Sequence, residues 1–446
     1  MNVPAVSAPV SKLERMLLRS LYQQYLYAYP HKTAYRALAP PRPLGEVWAH
    51  EPKDALFLYV HVPFCEMRCG FCNLFTAANP VEDVVELFLA ALEREARATR
   101  EAVGSTRFAR AAVGGGTPTF LEVPQLERVF SLMRDVMGAG LGRIPMSVEV
   151  SPETSTRERL AVVRQAGADR ISIGVQSFVE AEVAAVKRPQ RREDVARALD
   201  AIRDTGVPTL NVDLIYGIEG QTEASLVESL RAALRWKPEE LYLYPLYVRP
   251  LTFLGRSARD WDDHRLTLYR TGRDVLRSEG YHQVSMRMFR KGAPAPSDTT
   301  YRCQEDGMVG LGVGARSYTR ALHYSHEWAV ASRAVRGIID AYAQRSSADF
   351  SYARHGFELS GEEQRRRWVI LSLLAEGVDA EQYRARFGTE LERDFPELDE
   401  LPRLDFARWS DGRLCLTESG VERSDVIGPW LHSCDVDEKM RTWEAR

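Results

Sequence analysis

The run YVHVPFCEMRCGFCNLF, Tyr59 to Phe75, places Cys65, Cys69 and Cys72 within eight residues of a chain that holds six cysteines. Any pairing among three thiols leaves one over, so a disulfide frame accounts for them badly. Thiolates are metal ligands. A structural zinc takes four donors, and His61 is the nearest residue to complete a Cys3His set. Iron–sulfur cubes are held by cysteine thiolates, usually four, so three leave one iron with an open position. Such an iron can chelate the amino and carboxylate groups of S-adenosylmethionine (SAM). An electron passed into the sulfonium then breaks a carbon–sulfur bond and releases a 5′-deoxyadenosyl radical. The protein's share of that chemistry is ligation, orientation and exclusion of water.

Two acids stand where apolar residues are expected. Glu149 interrupts MSVEV and Asp213 interrupts LNVDLIYG. A charge on such a strand is costly unless it is paired, and a bound ligand is a suitable partner; for Glu149, the ribose hydroxyls or sulfonium side of SAM. GGGTP, Gly114 to Pro118, lets the backbone approach a ligand with no Cβ in the way.

The elements that must position these residues are legible from periodicity. Six short β-rich runs, ALFLYVHV, FARAAVGGG, MSVEV, RISIGV, TLNVDLIYG and ELYLYPLYV, alternate with helical stretches such as 81–101 and 124–136. That rhythm predicts an α/β fold with a parallel sheet curved into a partial (β/α)6 barrel. Near-continuous apolar strands suit a sheet covered on both faces. Chemistry in such folds sits at the C-terminal strand ends, which is where the cysteine loop, GGGTP, EVSPE and VQSF fall.

Outside the barrel, Leu13, Met16, Leu17, Leu21 and Tyr22 recur at helical spacing, which predicts an amphipathic helix and no export signal. Beyond Leu359 two short helices, a small hairpin and a terminal helix are expected. The predicted division is an N-terminal helical arm (1–48), a barrel (49–330) and a C-terminal helical, winged-helix-like domain (359–446). Acidic residues outnumber basic ones in that last part, which disfavours DNA contact. At 45% hydrophobic and 27% charged, with net charge −3, the chain of 446 residues is not a general nucleic-acid or membrane-surface binder. No apolar run reaches the roughly 18 to 20 residues of a membrane span. The expectation is a soluble cytoplasmic protein.

CxxxCxxC after the first strand of a βα barrel resembles the radical SAM signature. YVHVPFC, GGGTPTFL, RISIGVQSF, NVDLIYGIEGQT and GLGVGARSY, in that order, resemble oxygen-independent coproporphyrinogen III oxidase and its HemN-like relatives, which include haem chaperones, methyltransferases and cyclopropanases. The resemblance runs from Leu56 to Tyr318 and continues more weakly to the C-terminus. It implies a [4Fe–4S] cluster on Cys65, Cys69 and Cys72, with the Tyr59 hydroxyl near the SAM carboxylate and the backbone at Phe71 receiving adenine. It places Gly116 and Thr117 at a first SAM and Gly115 at a second. Gln176, Arg188 and Asp213 would add contacts to the two, and Tyr247 and Tyr318 would line the second site. An electron donor such as a flavodoxin or ferredoxin is implied by reductive cleavage.

Three features bear on which relative this is. Leu74 stands where the oxidase has a further cysteine, YLYAYPHKTAYRAL resembles the oxidase's arm, and GVGARSY resembles the chaperone and methyltransferase version of its block. The resemblance thus leaves open oxidative decarboxylation of a coproporphyrinogen III-like tetrapyrrole, methyl or methylene transfer from a second SAM, and haem binding by a chaperone. For the last, His282, His323 and His326 are the candidate axial ligands. Cys303 is either a hydrogen donor facing the site or a small buried apolar group.

Overall fold

The computed structural model describes residues 10–249, 251–256, 264–292 and 302–444. The spacing of WDDHRLTLYRTGRDVLRSEGYHQ predicts a further helix and strand, followed by a Pro- and Thr-rich loop; the first three residues of that pattern and the stretch 293–301 lie outside the described residues.

Six parallel strands form the centre of the sheet: β1 (Leu56–Val62), β2 (Phe108–Gly115), β3 (Met146–Val150), β4 (Arg170–Gln176), β5 (Thr209–Tyr216) and β6 (Glu240–Pro245), each paired with the next in chain order. They coincide with the runs read from the sequence. Leu56, Leu58, Val60 and Val62 are fully buried on one face of β1, while Phe57, Tyr59 and His61 alternate onto the other. Helices Glu82–Val103, Val123–Ser131, Arg157–Gln165, Arg192–Asp204 and Glu223–Leu234 are the crossovers between the strands. Thr156 and Thr222 start two of them, their hydroxyls accepting the backbone N–H of Arg159 (3.3 Å) and Ser225 (3.2 Å).

The sheet extends beyond the six. Strand Met288–Lys291 adds antiparallel to β6 and Tyr281–Gln283 to that strand in turn. At the other end Met308–Leu311 runs parallel to β1 and leads through Arg316–Tyr318, Leu322–Ser325 and Tyr352–Glu358 to Arg36–Pro43. The barrel is therefore partial: its first and last strands do not pair. Five of these seven additions have three or four residues, as Tyr281–Gln283 and Met308–Leu311 do, and the period-two signal is weak over so few.

Two compact units result, Lys32–Ser360 with Trp443–Arg446, and Met1–His31 with Gly361–Thr442. The sheet unit starts at Lys32 and not at residue 49, because Arg36–Pro43 pairs with Tyr352–Glu358 and helix Leu44–Trp48 follows directly. It ends at Ser360 rather than 330 for the same reason. The other unit holds the predicted amphipathic helix, Lys12–Arg19, capped by Ser11 with Glu14 and burying Leu13. It also holds helices Gly361–Leu373 and Ala380–Phe387, a hairpin of Ala407–Ser410 and Arg413–Leu416 with Val378–Asp379 as third strand, and helices Ser424–Trp430 and Cys434–Arg441. Among the described residues no helix is long and apolar enough to cross a membrane.

Candidate functional site

A cavity of about 790 Å³ opens at the C-terminal ends of β2 to β5, within the size range of small-molecule and cofactor sites. Cys65, Cys69 and Cys72 share its wall with Phe71, Gly115, Gly116, Thr117, Glu149, Gln176, Arg188 and Asp213. Residues spread over 149 positions of sequence meet there because each follows or ends a parallel strand.

The three thiols are surrounded by donors. The hydroxyls of Thr76 and Thr117 point at Cys65 Sγ (3.2 and 3.4 Å), and the Arg188 guanidinium donates to Cys69 Sγ at 3.0 Å. Burial pushes the Cys72 thiol up to about 12 and raises Cys65, so by themselves these groups stay protonated, and only a bound metal would hold them as thiolates. Three sulfurs, donors aimed at two of them, and free volume in front suit a [4Fe–4S] cluster with one open iron. The loop is tied to the barrel by the Gly70 N–H donating to the Val186 carbonyl (2.8 Å) and the Gly70 carbonyl accepting from Leu254 N–H (3.0 Å).

Glu149 and Asp213 project from β3 and β5 onto the same face. Cα pairing runs Glu149, Ser172, Asn211 across β3 to β5, with Asp213 two residues further toward the cavity. Glu149 accepts the Gly115 N–H at 3.1 Å, and Asp213 accepts from Asn211 Nδ2 at 2.7 Å. Glu149 is open to the cavity on β3 and Asp213 is half-buried on β5; desolvation by the surrounding protein raises both carboxyls, Glu149 to about 7 and Asp213 to about 6, and the hydrogen bonds only partly offset it. Their charge is thus incompletely satisfied by the protein, which is the condition for binding a cationic or hydroxyl-bearing ligand.

Two glycines of GGGTP are required by contact. Gly115 has φ +114°, and a Cβ there would stand 2.7 Å from the His61 ring; a Cβ on Gly116 would stand 2.4 Å from the Phe64 carbonyl oxygen. His61 uses both ring nitrogens: Nε2 donates to the Phe75 carbonyl (2.9 Å) and Nδ1 accepts from the Tyr59 hydroxyl (3.3 Å). Burial lowers its pKa to about 4, keeping it neutral. His61 is therefore a brace between β1 and the end of the cysteine loop and not a fourth metal donor.

The structure does not place Tyr59, Tyr247 or Tyr318 on the cavity wall. Tyr59 faces His61, Tyr247 accepts a hydrogen bond from Arg287, and Tyr318 is buried against His323 with ring centroids 4.4 Å apart. Cys303, at the start of helix Cys303–Asp306, is also off the wall. Of the arginines in VKRPQRRED, Arg191 and Arg192 are solvent-facing (76% and 45% exposed), whereas Arg188 turns inward. Thr76 and Gln190 were not legible in the sequence. Gln190 holds Arg188 Nε (3.1 Å) and the Val175 carbonyl (2.6 Å), contacts that only folding creates.

Residues 59–233 match the radical SAM superfamily, and residues 359–422 match the HemN C-terminal domain. The oxygen-independent coproporphyrinogen III oxidase of Paracoccus denitrificans is 30% identical over 313 residues, 67% of each chain. The haem chaperone HemW of Bacillus subtilis is 28% identical over 389 residues, 84% of this chain and 98% of that one. The solved structure of Escherichia coli HemN, described as a radical SAM coproporphyrinogen III oxidase, shares the fold: TM-score 0.77, 23% identity, 92% of this chain and 99% of that one. A three-thiol loop on a partial parallel barrel defines a radical SAM protein. Within that class the chain belongs to the HemN-like family of oxygen-independent coproporphyrinogen III oxidases and their relatives, whose cofactors are a [4Fe–4S] cluster and SAM.

Proposed function

We propose that the chain is an enzyme that uses this cavity to direct a 5′-deoxyadenosyl radical at a bound substrate, removing a hydrogen atom in an oxidative decarboxylation of a coproporphyrinogen III-like tetrapyrrole. The observation that carries the reading is the cavity itself: three thiols with aimed donors on one wall and two incompletely satisfied carboxylates on another. When bound, the cluster and SAM supply the electron and the radical.

The chain's own residues bind and orient. Cys65, Cys69 and Cys72 hold the cluster, and Thr76, Thr117 and Arg188 spread the charge of the sulfurs. Glu149 and Asp213 accept from the amino group and ribose hydroxyls of SAM, and Gly115 and Gly116 admit it close to the backbone. Phe71, on the same wall, offers its backbone to adenine, with Gln176 beside β4. The reductant is a flavodoxin- or ferredoxin-like donor, and the electron released as the substrate radical loses CO2 passes to an external one-electron acceptor.

Transfer of a methyl or methylene group from a second SAM and haem delivery are the competing readings, the latter favoured by the match to HemW along 98% of its length. Against haem, none of the three candidate histidines lines the cavity: His326 is held by Glu95 (2.7 Å) and Arg345 (2.7 Å), His282 by the Gly292 carbonyl, and His323 packs on Tyr318.

The test is anaerobic reconstitution with iron and sulfide, then dithionite reduction with SAM, with coproporphyrinogen III present or absent. Methionine and 5′-deoxyadenosine rising with the tetrapyrrole, and loss of its carboxyl groups, support the proposal. S-adenosylhomocysteine would indicate methyl transfer. A cluster that forms and cleaves no SAM would sink the enzyme reading and make haem titration decisive.

A further inference from the structure

The reductive cleavage proposed above draws its electron from outside the chain, and one piece of surface reaches the cysteine loop without opening into the cavity. Gly70 lies between Cys69 and Cys72. Its N–H donates to the Val186 carbonyl (2.8 Å), and a Cβ on Gly70 would stand 3.2 Å from Lys187 Cβ. Lys187 is exposed, and its ammonium lies 5.4 Å from the centre of the Phe253 ring. Neither Lys187 nor Phe253 is on the cavity wall. The turn that carries Phe253 is fixed: the Leu254 N–H donates to the Gly70 carbonyl (3.0 Å), and the Thr252 hydroxyl donates to the Arg249 carbonyl (2.7 Å) and accepts the Gly255 N–H (3.1 Å).

Leu254 is buried with Val186, Ile215, Ile218 and Leu246, and the residue before it on this turn faces outward. Phe253 is 59% exposed, the only exposed one of the chain's 16 phenylalanines. Lys187 beside it makes no hydrogen bond or ion pair among the described residues. Arg191 and Arg192, a few residues on, are by contrast paired with Asp194 (3.0 Å) and Glu228 (3.3 Å). Arg68, on the loop itself, donates to the Cys72 carbonyl (3.3 Å) and the Ser332 hydroxyl (3.1 Å) and has no carboxylate partner among the described residues. Glu66, the acid of the loop, is on the cavity wall. An exposed aromatic ring beside cations that no acid neutralises fits a partner with an apolar contact ringed by negative charge.

We propose that Lys187 and Phe253, with Arg68 on the flank of the loop, form the docking face for an acidic one-electron carrier protein. The proposal rests on the enzyme reading above and adds where its electron enters. The carrier is oxidised by one electron and the cluster is reduced by one; no bond, proton or leaving group moves. The route from this face is short: Lys187 is bonded to Val186, whose carbonyl accepts from the Gly70 N–H, and Gly70 is bonded to Cys69. Docking here leaves the cavity free for SAM and substrate.

Flavodoxin is the probe, with a [2Fe–2S] ferredoxin in parallel. Titrated by calorimetry, in its oxidised form, into the cluster-loaded full-length protein, the carrier should bind, and added salt should weaken the complex. Lys187→Glu and Phe253→Ser should each raise the Kd at least about tenfold, with Lys187→Arg retaining most of the affinity. With fully reduced flavodoxin as donor, the reduced-cluster signal in freeze-quenched samples should appear more slowly by the same factor. Dithionite needs no docking, so it should give each variant the wild-type signal, which also shows that the variant folds and holds its cluster. Neither carrier binding the wild type, an unchanged Kd in Lys187→Glu, or a loss of signal with dithionite equal to that with flavodoxin overturns the face. SAM cleavage under dithionite separates this from the parent reading: cleavage with an unchanged Kd removes the face alone, and a Lys187-dependent complex without cleavage removes the enzyme.

Discussion

The Arg188 guanidinium bridges Cys69 Sγ (3.0 Å) and the Gly174 carbonyl (2.7 Å), joining the cysteine loop to β4. A positive donor on a cluster sulfur stabilises the reduced, more negative cluster and so raises its potential. Arg188→Gln should lower the potential by tens of millivolts, on the order of 60 for a loss of about 1.4 kcal/mol in a one-electron couple. A redox titration followed by electron paramagnetic resonance measures it. An unchanged potential would show that the contact does not survive cluster binding.

Cys65→Ala, Cys69→Ala and Cys72→Ala should each abolish the reduced-cluster signal and SAM cleavage, because the loop has no fourth thiol to substitute. Retention of either property in any single variant removes that residue from the ligand set.

Asp213→Ala should weaken SAM binding by about 10- to 100-fold, as expected for loss of a charge-assisted hydrogen bond of about 1.5–3 kcal/mol, while iron content stays at the wild-type level. Isothermal titration against the cluster-loaded protein, with iron analysis in parallel, gives both numbers. Unchanged affinity would take Asp213 out of the site.

Desolvation in the recess at the strand ends pushes the Glu149 carboxyl up from 4.5 to about 7, although its side chain is open to the cavity. A carboxyl raised on folding binds its proton more tightly in the folded state, so stability falls as pH climbs from about 4.5 to about 7 and is then level. Glu149→Gln removes that penalty. Its melting temperature without SAM should exceed the wild type's above pH 7 and converge with it near pH 4, and two parallel pH profiles would contradict the assignment.

Gly115→Ala forces a Cβ against the His61 ring at 2.7 Å and a side chain onto φ +114°. Overpacking of this kind costs about 1–3 kcal/mol. Urea unfolding should show a midpoint lowered accordingly, and a neutral result would mean that His61 can swing away from Tyr59 and Phe75.

The amino-acid sequence by itself determined the cysteine spacing, the six parallel strands and the side of the barrel on which chemistry falls. These are local facts: x3–x2 spacing limits what three thiols can hold, and an apolar run ending in glycine or an acid marks a covered strand with a functional end. It also singled out Glu149 and Asp213, since a charge inside an apolar strand is conspicuous in one dimension. Tertiary structure decided what depends on partners distant in the chain. Arg188 was indistinguishable from Arg191 and Arg192 until the turn after β4 aimed it at Cys69, 119 residues away. In sequence His61 is only the nearest candidate for a fourth zinc donor, and in the fold both its nitrogens are taken by Tyr59 and Phe75. The three- and four-residue strands that extend the sheet carry too little periodicity to be read alone, and they exist because β1 and β6 present open edges. Lys187 and Phe253, 66 positions apart, become a pair only when the turn after β6 folds back onto the cysteine loop.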